Sequence, residues 1–261
     1  MTKWWSVLPV IVLFAFLKLT QADIVKTVQF GHYDQLQKNQ EIVSVDDIVL
    51  VNIDESAIEK EGQYPWPRQT IAKYINSAPN NTLLVSTMIW SEPDRFAGDQ
   101  ELSNSIAQKP MILASAPTRQ TTTVDLGIYA NVSTFGKPVD SLIDYSGILT
   151  PIPELAQMSM GIGAVSAEVD QPTGVLRRVP LMVGINGTPY PSLGLDAIRV
   201  WIGEPSYTVK YNSLGVEWIR LGKQDPLITE PSSELPVAFW HDLKSQSILE
   251  DRKSTRLNSS H

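Results

Sequence analysis

Three short apolar runs, at residues 48–53 (IVLVNI), 83–90 (LLVSTMIW) and 111–114 (MILA), are separated by segments of helical periodicity, and this alternation limits the fold more than any other feature. Runs of that length read as strands of a covered sheet. The spacers carry helix signals: Ser56 and Glu59 have the S-x-x-E spacing of a capping box, and Gly62 ends the helix they open. Residues 69–77 place Ile71, Ala72, Tyr74 and Ile75 on one side, and Asp99 is positioned to cap a helix carrying Leu102 and Ile106 inward. Strand, helix, strand, helix, strand is the order of crossover units on a mostly parallel sheet.

The later chain changes character. Residues 117–150 are polar and turn-rich, an excursion from the core, after which residues 152–160 read as a short helix and 161–168 as a strand. The extended run 175–185 (VLRRVPLMVGI) meets Asn186-Gly187, a strong hairpin signal. Tyr190-Pro191-Ser192 then opens a helix with Leu193, Leu195, Ala197, Ile198 and Trp201 on its apolar face, and short strands are expected at 207–211, 216–221 and 236–240. The expected fold is α/β: a central, mostly parallel or mixed sheet with flanking helices, a hairpin-rich C-terminal part and an N-terminal transmembrane helix.

That helix is read from residues 4–17 (WWSVLPVIVLFAFL), uncharged and bounded by Lys3 and Lys18. A snorkelling Lys18 lengthens the span toward the ~17–20 residues a bilayer requires. A retained signal anchor and a cleaved signal peptide are both open, and Lys3 on the side that stays cytoplasmic favours the anchor. Beyond it, Ile24, Val25, Val28, Phe30, Tyr33 and Leu36 recur at near-helical spacing as a stalk, with Gly31 its weak point and Asp34 read as a solvated residue. At the other end, residues 251–261 (DRKSTRLNSSH) resemble the translation of a sequencing-library adapter over their whole length. The expected division is therefore an anchor at 1–22, an extracytoplasmic domain at 23–250 incomplete at its C-terminal side, and an artefactual tail at 251–261.

Composition narrows the function classes. A formal charge of −7 argues against nucleic acid or an anionic membrane surface as partner. The absence of cysteine removes thiol nucleophiles and thiolate metal sites, and the three histidines, His32, His241 and His261, form no ligand pair. Ser192 lacks a G-x-S-x-G setting and no phosphate loop occurs, so no cofactor is implied.

What remains is a set of charges after the strands. Asp54 follows the first, Glu92, Asp94 and Arg95 follow the second, and Asp99 and Arg68 lie beside them. Trp66, between Pro65 and Pro67, is held in an extended turn, as a core plug or an aromatic wall. Together Asp54, Trp66, Arg68, Glu92, Asp94, Arg95 and Asp99 are the candidate ligand-binding set, because open α/β sheets place crevices at the carboxyl edge of their strands. The alternatives are a salt-bridge and capping network that fixes the loops, or a carboxylate-assisted hydrolase on Asp54, Glu92 and Asp94. A divalent cation on those three acids is opposed by the neighbouring arginines. Arg177 and Arg178 lie on opposite faces of a strand, so at most one faces any given site.

In order, the chain carries Tyr33-Asp34, IVLVNIDESAI, PWPR, SEPDR with Asp99 four residues on, GVLRRVPL, and PSLGL before a helix. Assembled, these resemble the second type of CHASE domain, the cyclases/histidine kinases associated sensory extracellular module, from about residue 33 to about residue 240. Two places depart from that family's pattern: Thr87 stands near the site of an acid in the second strand, and Pro172 interrupts the turn before RRVPL. The resemblance implies a membrane-anchored extracytoplasmic (periplasmic) domain that reads a small signal, compatible with a homodimer and without nucleic acid. It further implies a cytoplasmic nucleotide cyclase or protein kinase as output. A secreted solute-binding protein with a cleaved leader is the rival binding reading.

Overall fold

The computed structural model describes residues 7–19, 23–38, 47–122, 131–137, 140–167, 173–237 and 243–249. Two helices come first, α1 (Leu8–Leu19) and α2 (Asp23–Lys38). The side chains of Leu8, Val10, Ile11, Val12, Leu13 and Phe16 on α1 are all exposed. Twelve residues make a rod of about 18 Å against a hydrocarbon layer of about 30 Å, and no described helix is long and apolar enough to cross a membrane. The expected N-terminal span thus lacks support from the described residues; residues 1–6 and 20–22 lie outside them.

Next come β1 (Val49–Asn52), α3 (Glu55–Glu61), α4 (Arg68–Ser77), β2 (Leu84–Val85), α5 (Asp99–Gln108) and β3 (Met111–Thr118). They are followed by β4 (Asn131–Phe135), β5 (Asp144–Tyr145), β6 (Gly147–Leu149), α6 (Pro153–Ala156) and β7 (Gly161–Ala164). β3 is the axis of the first sheet, parallel to β2 on one side and β7 on the other, while its distal half pairs antiparallel with β6. Its residues divide by parity. Met111 and Leu113 join Trp66, Ile71, Ile75, Leu102 and Ile106 in one core, while Ile112 and Ala114 pack on the opposite face against Leu193. A strand covered on both faces has to be apolar throughout, which is why 111–114 shows no alternation.

The remaining elements are β8 (Arg178–Pro180), β9 (Met182–Ile185), β10 (Thr188–Pro191), α7 (Leu193–Trp201), β11 (Ser206–Tyr211), β12 (Val216–Leu221), β13 (Leu227–Ile228), β14 (Glu234–Pro236) and β15 (Lys244–Ser247). The hairpin β9–β10 turns through Asn186 and Gly187 at φ 50° and 74°, the left-handed pair that a two-residue hairpin needs. Ser192 caps α7, its hydroxyl accepting the Leu195 N–H at 3.3 Å. α7 is shared between layers: Leu193 faces β3, while Leu195 enters the core formed by Tyr207, Val209, Ile219 and Leu221 of the sheet β13-β12-β11-β4.

The protein is therefore mixed α/β, built from several sheets. Four sequence expectations are corrected. β1 does not join β2; it pairs in parallel with β15, Val49 opposite Lys244 and Asn52 opposite Ser247, and Val49 and Leu50 are exposed. The cap of α3 is Asp54, whose carboxylate accepts the Ala57 N–H, and Ser56 donates its hydroxyl to that same carboxylate. Asp99 sits inside the first turn of α5 behind Gly98, because its carboxylate is turned toward Arg68 and the Asp94 N–H. The run 175–185 breaks at Leu181: β8 pairs with β14 and β9 with β10 and β5, so one extended segment serves two sheets. The excursion at 117–150 contains β4, β5 and β6, each completing a different sheet; residues 123–130, 138–139 and 238–242 lie outside the description, as does the tail at 251–261.

Candidate functional site

The segment before α4 and the loop before α5 are locked together by one guanidinium. Arg68 is buried, with only 7% of its surface exposed, and donates from Nη1 to Asp99 and from Nη2 to the carbonyl of Glu92. Its own backbone N–H goes to Asp94 Oδ2 at 3.1 Å, and the same oxygen accepts the Gly98 N–H at 3.0 Å. Asp94 in turn donates its N–H to Asp99 Oδ2 at 3.0 Å. Burial raises the Asp94 carboxyl, but the N–H groups of Arg68, Gly98 and Phe96 and the Arg68 charge outweigh it and hold the acid below the usual carboxylate range. Gly98 is required here, since a β-carbon would meet the Gln69 side chain and the Asp94 carboxylate.

Above this network the side chains of Glu92 and Arg95 are exposed, as are Tyr64 and Phe96, and the Arg95 guanidinium stands 5.8 Å from the Phe96 ring centre. Trp66 is buried, its indole N–H donating to the Gly62 carbonyl at 2.6 Å and its ring tilted against Tyr74 at 6.0 Å. Tyr74 continues the chain of contacts by donating its hydroxyl to Glu61 at 2.6 Å. Burial, followed by that acceptor, pushes the Tyr74 hydroxyl up to about 12, and the same hydrogen bond lowers the Glu61 carboxyl.

The seven candidate residues fall into two places. Arg68, Asp94 and Asp99 are joined directly, with Glu92 attached through its carbonyl, Arg95 beside them on the loop, and Trp66 two residues before Arg68. Asp54 makes its hydrogen bonds elsewhere, to Ala57, Ser56 and Ser247. Among the described residues no group of three His, Asp or Glu could hold a metal ion.

Two further charge clusters escaped the sequence reading. Arg177, 4% exposed, grips Asp34 of α2 with two parallel hydrogen bonds of 2.8 Å, donates Nη1 to Thr173 at 2.7 Å, and lies 4.4 Å from the Phe30 ring centre. This corrects the reading of Asp34 as a solvated residue; the Arg177 bond is the leading cause of its lowered carboxyl. The parity argument did apply to its neighbour, since Arg178 leaves Arg177 and pairs with Glu230 at 3.0 Å. The second cluster joins Asp196 and Arg199 of α7 to Tyr207 of β11, all buried, with Arg199 Nε 2.7 Å from Asp196. The i,i+3 spacing of Asp196 and Arg199 was the available signal.

A family model described as the CHASE2 domain matches residues 9–251. No curated protein matches the chain, and no solved structure does.

Proposed function

Because the chain belongs to the CHASE2 family, a family of extracellular sensory domains, we propose that it is the extracytoplasmic sensing part of a membrane-bound signal-transduction receptor. The family match over residues 9–251 carries this reading. In it, a small solute outside the cell is recognised at the loop rim where Glu92 and Arg95 are exposed, over the Trp66, Arg68, Asp94 and Asp99 network. Fixed loops suit such a role: ligand groups that are already ordered lose less conformational entropy on binding. An exposed carboxylate and an exposed guanidinium three residues apart on one loop offer charge-assisted hydrogen bonds to a zwitterionic or polar solute. Asp54 stands outside this rim, bonded to Ser56, Ala57 and Ser247.

The receptor context completes the proposal. The apolar N-terminal segment meets the membrane, the domain works as a homodimer, and the output is a cytoplasmic nucleotide cyclase or protein kinase. For a signal to act, it has to bind two arrangements of the domain with different affinity, commonly a coupling of about 1–3 kcal/mol. The test is calorimetric titration of the detergent-solubilised chain with amino acids, dicarboxylates and simple sugars, repeated with Glu92→Gln and Arg95→Gln. A saturable heat abolished by either variant supports the rim. A heat unchanged by both moves the site elsewhere, and no heat with any solute leaves the network as a scaffold. Mass analysis of the membrane-expressed chain tests the anchor: loss of the residues before Asp23 would refute it.

A further inference from the structure

The helix α2 carries the chain from the N-terminal apolar segment into the sensory domain, yet among the described residues it packs extensively against no other helix or strand. Val28 and Leu36 on it are exposed, while Phe30, Tyr33 and Asp34 turn toward the protein. Phe30 and Asp34 meet Arg177. Its guanidinium presents two N–H groups to both oxygens of Asp34 and stands over the Phe30 ring, 4.4 Å from its centre, while its third nitrogen is held by Thr173. The arginine is buried and fixed from the domain side, and its backbone carbonyl accepts the Val237 N–H at 2.9 Å. The aspartate side chain is 41% exposed, so water is at hand to receive it when the contact opens.

A second feature of α2 lies at the same place. Gly31 sits inside the helix, next to Phe30 and three residues before Asp34, and a β-carbon there would meet nothing within 4 Å. No close approach requires a glycine. Its presence weakens the helix where the domain grips it, through the greater backbone freedom it has to lose.

We infer that Arg177, Asp34 and Phe30 form a releasable latch on α2, with Gly31 as the adjoining soft point, so that the helix exchanges between a docked and a released state. The use of such a latch rests on the sensor reading, in which docking of α2 would be the quantity a signal alters. The latch itself rests only on geometry. A planar fork over an aromatic ring has one good arrangement, so the contact is either made or lost.

The test is hydrogen exchange by mass spectrometry on the full chain in detergent micelles, comparing wild type, Asp34→Asn, Arg177→Gln, the double variant and Gly31→Ala. Each single variant is expected to speed exchange of the amides at 31–38 by about tenfold, while β3, β9 and α7 keep their protection. The double variant should add nothing beyond Arg177→Gln, because the Asp34 contact is already lost once the guanidinium is gone. Gly31→Ala should slow the same amides. Unchanged exchange at 31–38 in both single variants would overturn the latch, as would additive effects. Faster exchange throughout the domain in Asp34→Asn would also overturn it, since the pair would then hold the whole fold and not the helix. Exchange in Gly31→Ala equal to wild type would remove the soft point. No solute enters the measurement, so a failed ligand screen and a failed latch give separate results.

Discussion

The carboxylate of Asp54 accepts the hydroxyl of Ser247 at 2.9 Å across 193 positions of sequence. The same oxygen takes the Ala57 N–H at 3.0 Å and the Ser56 hydroxyl at 2.9 Å, so one acid closes the start of α3 and the end of β15 together. These bonds, led by Ser247 and then Ser56, hold the carboxyl below its ordinary value.

Asp54→Ala should therefore loosen two remote elements at once. Amides at 244–248 and in α3 should exchange faster, with the melting temperature lowered. Asp54→Asn retains an acceptor for the Ala57 N–H and should do less. Because the folded carboxyl is more acidic than the unfolded one, the stability it adds is present above the ordinary carboxyl value of 3.8 and fades as pH falls through the folded value. An acid titration of wild type that matched Asp54→Ala in shape would disprove this.

Removing the Arg68 guanidinium takes a donor from the Glu92 carbonyl and from Asp99, which keeps the Asp94 N–H, in a part-buried setting. Arg68→Met is expected to cost about 2–4 kcal/mol, below the full penalty for a deeply buried pair because Asp99 is partly exposed. Arg68→Lys should recover only a part, since an ammonium does not span both acceptors. Urea unfolding with an unchanged slope and a shifted midpoint is the measurement.

Tyr74 predicts an alkaline signature. Its folded hydroxyl is raised to about 12 from 10.0, so its contribution is complete below pH 10 and disappears as pH rises toward 12. Ultraviolet phenolate absorbance should show one fewer late-titrating tyrosine in Tyr74→Phe, Tyr207 and Tyr211 remaining late because burial raises them too, and the alkaline loss of stability should be smaller in that variant.

Gly161 packs directly on the Asp196 carboxylate, beside Arg199, where a β-carbon would overlap the acid. Gly161→Ala should displace the buried Asp196, Arg199 and Tyr207 cluster and cost about 1–3 kcal/mol. A melting temperature equal to wild type would show that β7 can shift to admit the methyl group.

Some local features were legible in the chain, although the caps of α3 and α5 were not. Gly62, Asn186-Gly187 and Ser192 act where their side chains and permitted φ angles predict, because turns and caps are settled by a few adjacent residues. The rim was legible as a cluster of charges, but not its division of labour. Arg68, Asp94 and Asp99 became internal supports while Glu92 and Arg95 stayed outside, a choice made by which side chain α4 and α5 trap between them.

By itself the sequence determined the helices from α3 to α7, the strands β1, β3, β7, β11 and β12, the β9–β10 turn and the family, since periodicity and short motifs are properties of neighbouring residues. Only the tertiary structure decided that β1 pairs with β15, that Asp54 turns to Ser247, and that Arg177 meets Asp34 from 143 positions away. The physical reason is that a charge or a strand edge has many acceptable partners in composition. Packing of the layers brings one of them within 3 Å and excludes the rest.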